Sequence, residues 1–157
     1  MKKGSGTKLR LSITLEKELD DTKREAGRLG IPFGRVCDPL GKGIGYCLAL
    51  FFNCATRRGL ELELTSSVMQ GIWSEGRDVA HMPDLVLLAA RVGIDEAEVR
   101  AALEDRSWKD QAADNRDALT ELGLWGVPSF RIGTYHTWGQ DRIPFIEAEI
   151  ARLFGSS

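Results

Sequence analysis

Apolar residues recur at helical spacing along most of the chain and alternate with polar ones at only two places. Leu15, Leu19, Ala26 and Leu29 fall on one face of a helix predicted from Leu15 to Leu29, which Gly30 stops and Pro32 follows. A second helix is predicted over Ile44–Arg58, with Arg57 and Arg58 complementing its C-terminal dipole and Gly59 past the end. Gly41, Gly43 and Gly45 crowd its start; without a preceding strand they read as close helix packing rather than a phosphate loop. Leu60–Glu75 forms a third helix with Leu64, Val68, Ile72 and Trp73 inward, and Asp84–Val92 a short fourth. Asp95 and Glu98 are spaced as a capping box for a helix to about Leu103, and Ser107 caps one running to Leu122.

Period-two alternation marks Lys8–Ile13 and, near the C-terminus, two strands, Ser129–Ile132 and Tyr135–Trp138, around Gly133-Thr134. A last helix follows over Asp141–Phe154, with Ile143, Ile146, Ile150 and Leu153 on one face. The pattern predicts an α/β, mostly helical chain: a lead-in over 1–14 with a possible strand at 8–13, a helical domain over 15–122, and a C-terminal ββα segment over 123–157. A lone hairpin is marginal in water. The open edge of Ser129–Ile132 is therefore expected to take residues 8–13 or to pair with a second copy, giving a homodimer.

The 157 residues carry 21 Lys and Arg against 23 Asp and Glu, a formal net charge of −2. That balance argues against nucleic-acid binding and against a polybasic membrane anchor. The longest apolar run, Tyr46–Phe52, is far shorter than the ~20 residues of a membrane span, and the N-terminus lacks an apolar signal core. Cys37, Cys47 and Cys54 form no C-x-x-C, which suits a reducing, cytoplasmic setting, and with two histidines no metal site is expected. Trp73, Trp108 and Trp125 read as core anchors, His136 as an outward-facing strand residue, and nothing assigns Tyr46 a task.

Two C-terminal corners carry the candidate chemistry. In the first, a cis Val127–Pro128 bond would turn the backbone of Val127 outward to pair with an extended thiol-bearing peptide; an ordinary trans proline opening a strand is the alternative. The second is Trp138-Gly139-Gln140-Asp141-Arg142, where a strand turns into a helix start. Free backbone donors there suit a carboxylate and Asp141 suits an ammonium, as in the γ-glutamyl end of glutathione. Equally, an acid in a first turn stabilises its own helix without any ligand.

Gly-Leu-Trp-Gly-Val-Pro-Ser-Phe (Gly123–Phe130) followed by Thr-Trp-Gly-Gln-Asp-Arg (Thr137–Arg142) resembles the DsbA-like thioredoxin superfamily, within it the 2-hydroxychromene-2-carboxylate isomerase and kappa-class glutathione transferase branch. Arg28–Phe33 and Gly71–Val79 fit the same branch, and the resemblance covers roughly residues 15–155. It implies a thioredoxin-like fold with a helical insertion and a small-molecule thiol, glutathione, as cofactor. Val127 and Pro128 match the family's cis-proline pair, Gln140 and Asp141 match its γ-glutamyl turn, and Trp138 borders the pocket. In isomerases of the branch, glutathione adds to a conjugated substrate, permits bond rotation and leaves unchanged. The family's N-terminal βαβ segment with its catalytic Ser or Cys has no counterpart in residues 1–14, so the thioredoxin-like fold is expected to be incomplete and no catalytic residue is assigned. The expectation is a glutathione-dependent isomerase or transferase, or a catalytically silent thioredoxin-like binding module.

Overall fold

The computed structural model of the protein describes residues 19–37 and 41–155, which divide between two units, residues 1–106 and 107–157. The strand expected at 8–13 and the first turn of the helix expected from Leu15 lie outside the described residues.

The first unit is helical. Helix α1 occupies residues 19–29, and Gly30 takes the left-handed conformation (φ 67°) that ends it. α2 (Lys42–Leu50) begins two residues before its expected start and runs without interruption through a π-helical turn, Phe51–Ala55, into α3 (Thr56–Arg58). Gly59 closes the segment at φ 67°. Gly43 is buried where a Cβ would press on Val79, so this glycine does serve close packing. α4 spans Glu61–Trp73 and α5 Met82–Ala90. α5 starts before Asp84 because Pro83, lacking an N–H, is tolerated in a first turn whose N–H groups have no helical partner. α6 (Glu96–Glu104) carries the capping box its sequence promises: Asp95 accepts from the Glu98 N–H, and Glu98 accepts from that of Asp95, both at 2.9 Å.

Leu64, Val68 and Ile72 of α4 turn inward as their spacing requires and meet Leu50, Leu85 and Leu88 in one core. Each such side chain, fully buried, contributes roughly 1.5–3 kcal/mol. Trp73 is half-buried against the same core, its ring 6.3 Å from that of Phe33. Outside it, Arg91 donates to both oxygens of Glu75 (2.8 and 2.7 Å), which Arg77 also approaches. The Arg91 hydrogen bonds hold the Glu75 carboxyl below its ordinary range.

The π-turn has a physical partner. Asn53, buried within it, donates through Nδ2 to the carbonyls of Ala102 and Asp105, both at 2.8 Å. These belong to the C-terminal end of α6, where helix carbonyls lack intrahelical donors.

The second unit contains α7 (Trp108–Glu121), strands β1 (Ser129–Ile132) and β2 (Tyr135–Trp138), a 3₁₀ turn (Gln140–Arg142) and α8 (Ile143–Phe154). The strands pair antiparallel, Ser129 opposite Trp138 and Ile132 opposite Tyr135. Gly133, at φ 59°, leads the two-residue turn between them. α8 packs on β1. Of its apolar face only Ile146 is buried; Ile143, Ile150 and Leu153 remain exposed.

Candidate functional site

The two corners singled out in the sequence meet at one end of the hairpin. The Val127–Pro128 bond is cis, and the Gly139 N–H donates to the Pro128 carbonyl at 2.8 Å. That bond continues the hairpin one residue beyond Ser129–Trp138 and fixes the turn 139–142 beside the proline. It also sets the alternation of the ladder. If Pro128 faces Gly139 through a hydrogen bond, so do Phe130 and Thr137, and then Ile132 and Tyr135. The backbone groups of Ser129 and Arg131 therefore point to the opposite edge. Among the described residues β1 pairs only with β2, so none of them takes up that edge.

Val127 sits at the start of the edge and is 87% exposed. Trp138 lies behind it, half-buried, its indole lying over the Gly126 backbone: a Cβ at position 126 would come within 3.0 Å of three ring atoms. Only glycine leaves room for this stacking. Ser129 Oγ donates to the Gly126 carbonyl at 2.6 Å and tightens the loop from the other side. The hydroxyl at the corner is thus committed to its own loop.

The polar corner is built on Gly139, whose φ of 104° is closed to other residues, and a Cβ there would also strike the Asp141 carboxylate. Gln140 and Asp141 are exposed in the 3₁₀ turn, with Asp141 Oδ2 3.3 Å from Arg142 Nε. This pair is solvated on both sides, and such pairs contribute little. The Arg142 guanidinium also rests 5.7 Å from the Phe145 ring centre. Pro128 and Trp138 thus lie at the same end of the hairpin, with the exposed Val127 just before it and the exposed Gln140 and Asp141 in the turn just after it.

Trp125 departs from expectation. Its side chain is 80% exposed rather than a core anchor, with its ring centre 4.1 Å from that of Trp138. The flanking glycines, Gly123 in the left-handed region and Gly126 under the indole, place it on a surface loop instead of a helix face. Trp108 is half-buried. His136 is exposed on β2, Nδ1 3.2 Å from the Thr134 carbonyl oxygen. Among the described residues, no cluster of His, Cys, Asp and Glu could hold a metal ion, and no helix is long and apolar enough to cross a membrane. Burial pushes the Cys47 thiol up to about 11, and burial, with Glu98 beside it, also raises that of Cys54.

Comparison with known proteins follows the same outline. The model of the DSBA-like thioredoxin domain matches residues 4–151. A solved 2-hydroxychromene-2-carboxylate isomerase superposes with a TM-score of 0.68 at 20% identity, over 91% of this chain and 68% of the other, a likeness of fold. The 2-hydroxychromene-2-carboxylate isomerase of Pseudomonas putida is 27% identical over 88 residues, 55% of this chain and 42% of that protein. An uncharacterised Bacillus subtilis protein, YwbO, is 33% identical over 72 residues, 45% of this chain and 36% of its own length. The matches thus span less than half of either curated relative. Taken with the helical unit and the cis-proline hairpin, the family match places this chain in the DSBA-like thioredoxin domain family.

Proposed function

We propose that the second unit binds glutathione, or a small thiol with the same γ-glutamyl head, and presents it for thiol-dependent isomerase or transferase chemistry. The observation that supports the reading is the 2.8 Å hydrogen bond from Gly139 to Pro128, which brings the two corners to one end of the hairpin. The outward backbone of Val127 pairs with the ligand's cysteinyl peptide as an added strand would. The N–H groups of Gln140 and Asp141, at the start of the 3₁₀ turn, face the γ-glutamyl carboxylate, and Asp141 takes the ammonium. Trp138 walls the site and excludes water from one side.

When bound, glutathione supplies a thiol able to add reversibly to a conjugated double bond, the chemistry the resemblance to the isomerase branch implies. The protein's own groups bind and orient. Ser129 supplies no nucleophile there, since its hydroxyl is engaged by Gly126. That observation favours a second reading, a catalytically silent module that binds the thiol without turning a substrate over.

Calorimetric titration with glutathione and S-methylglutathione tests the binding reading. Both ligands are expected to bind, because recognition runs through the backbone and the γ-glutamyl head, and Asp141→Asn is expected to weaken both at least fivefold. Absence of saturable heat, or equal affinity in Asp141→Asn, rejects it. A turnover assay on a conjugated 2-oxo acid with glutathione present then separates the isomerase from the silent module.

A further inference from the structure

The helical unit holds a crevice of about 260 Å³ between the π-turn and α6, which the thiol site does not use. We propose that it binds a small organic carboxylate with a short apolar body, the carboxylate against Arg57 and the body over the floor. Ala101, Ala102 and Cys54, taken here as the floor, are the apolar residues of its lining. The rim is charged, and its two cations are unequally engaged. Arg58 is the more engaged: its Nη1 donates to the Gly93 carbonyl at 2.8 Å and to both Glu98 oxygens at 3.1 Å. Among the described residues Arg57 makes a single hydrogen bond, at the limit of one, 3.5 Å to Asp105, and its side chain is 65% exposed.

A guanidinium so placed can give a ligand carboxylate the two short parallel bonds that the Asp105 contact does not supply. The crevice is smaller than the ~300–1,000 Å³ typical of drug-sized ligands, so the occupant is a single ring or short acyl chain. The π-turn shapes the cleft. Asn53 is tied to the end of α6, and its neighbour Cys54 lines the floor. Burial, then Glu98, raises the thiol's pKa, so Cys54 is wall rather than nucleophile and the binding is non-covalent.

Sodium benzoate is the probe, benzamide its uncharged counterpart, and amide chemical shifts of the ¹⁵N-labelled full chain at constant ionic strength the readout. Benzoate is expected to shift amides of residues 53–58 and 98–105 saturably, with benzamide at least fivefold weaker. Arg57→Gln and Ala101→Leu, both at exposed positions, are expected to weaken benzoate at least fivefold while leaving the far-UV spectrum unchanged. Non-saturating shifts, equal affinity for benzamide, or undiminished binding in Arg57→Gln would each overturn the proposal. The benzamide comparison needs no variant and stands even if both substitutions disturb folding.

Discussion

Replacing Gly126 by alanine perturbs the corner at its tightest point. The added methyl carbon would lie within 3.0 Å of three atoms of the Trp138 ring, a rigid group that cannot bend away as a flexible side chain would. The indole must retreat by roughly 1.5 Å to recover ordinary contact distances. It would then leave its place against Trp125, 4.1 Å away, and strain the Ser129–Gly126 hydrogen bond. Overpacking of this kind costs about 1–3 kcal/mol. Gly126 has no positive φ, so the penalty comes from the clash rather than from the backbone. Urea unfolding followed by near-UV circular dichroism reads both the stability loss and the altered indole environment. The clean form is a double-mutant cycle with Trp138→Leu, whose flexible side chain accommodates the methyl. Gly126→Ala should cost at least 1 kcal/mol beside Trp138 and little beside Leu, a coupling of about 1 kcal/mol or more. Additive costs, or an unchanged near-UV spectrum in Gly126→Ala, would refute the packing argument.

Asn53→Ala removes the donor to two carbonyls at the end of α6 and is expected to cost about 1–3 kcal/mol in urea melts, whereas a change under 0.5 kcal/mol would show that those carbonyls are satisfied otherwise. Because Arg91 lowers the folded pKa of Glu75, the stability this acid contributes is present above its unfolded pKa, near 4.3, and lost as pH falls through the folded value. Stability should therefore decline below about pH 5, and Glu75→Gln should lessen that decline by a few tenths to about 1 kcal/mol, the partial exposure of the pair keeping the figure small. At pH 8 the Cys47 thiol, pushed up to about 11 by burial, should react with iodoacetamide roughly 100-fold more slowly in the native protein than in urea. Equal rates would contradict the burial.

The helices of the first unit were legible because their signals are local. Gly30 and Gly59 end helices as their positions announce, and the capping box at Asp95 and Glu98 forms in both directions. The π-turn was not legible. Its sign is a single polar residue, Asn53, in an apolar run, and its meaning depends on carbonyls some 50 residues away. α5 starts two residues before the expected Asp84, since Pro83 in a first turn costs nothing. At the site, the hairpin register and the turn at Gly139 followed from residue type alone, whereas the hydrogen bond joining Gly139 to Pro128 is a tertiary fact. Trp125 was misjudged because a large aromatic is usually buried, and nothing in its immediate sequence outweighs that tendency except the two glycines around it.

Amide mapping of glutathione binding on the ¹⁵N-labelled chain tests the central claim most directly, since it asks where the ligand sits as well as whether it binds. Saturable shifts confined to residues 126, 127, 129, 131 and 138–142, and diminished together in Asp141→Asn, are the predicted result. Shifts in only one corner, or centred on the helical unit, would contradict the claim that the cis-proline loop and the Gly139 turn form a single receptor.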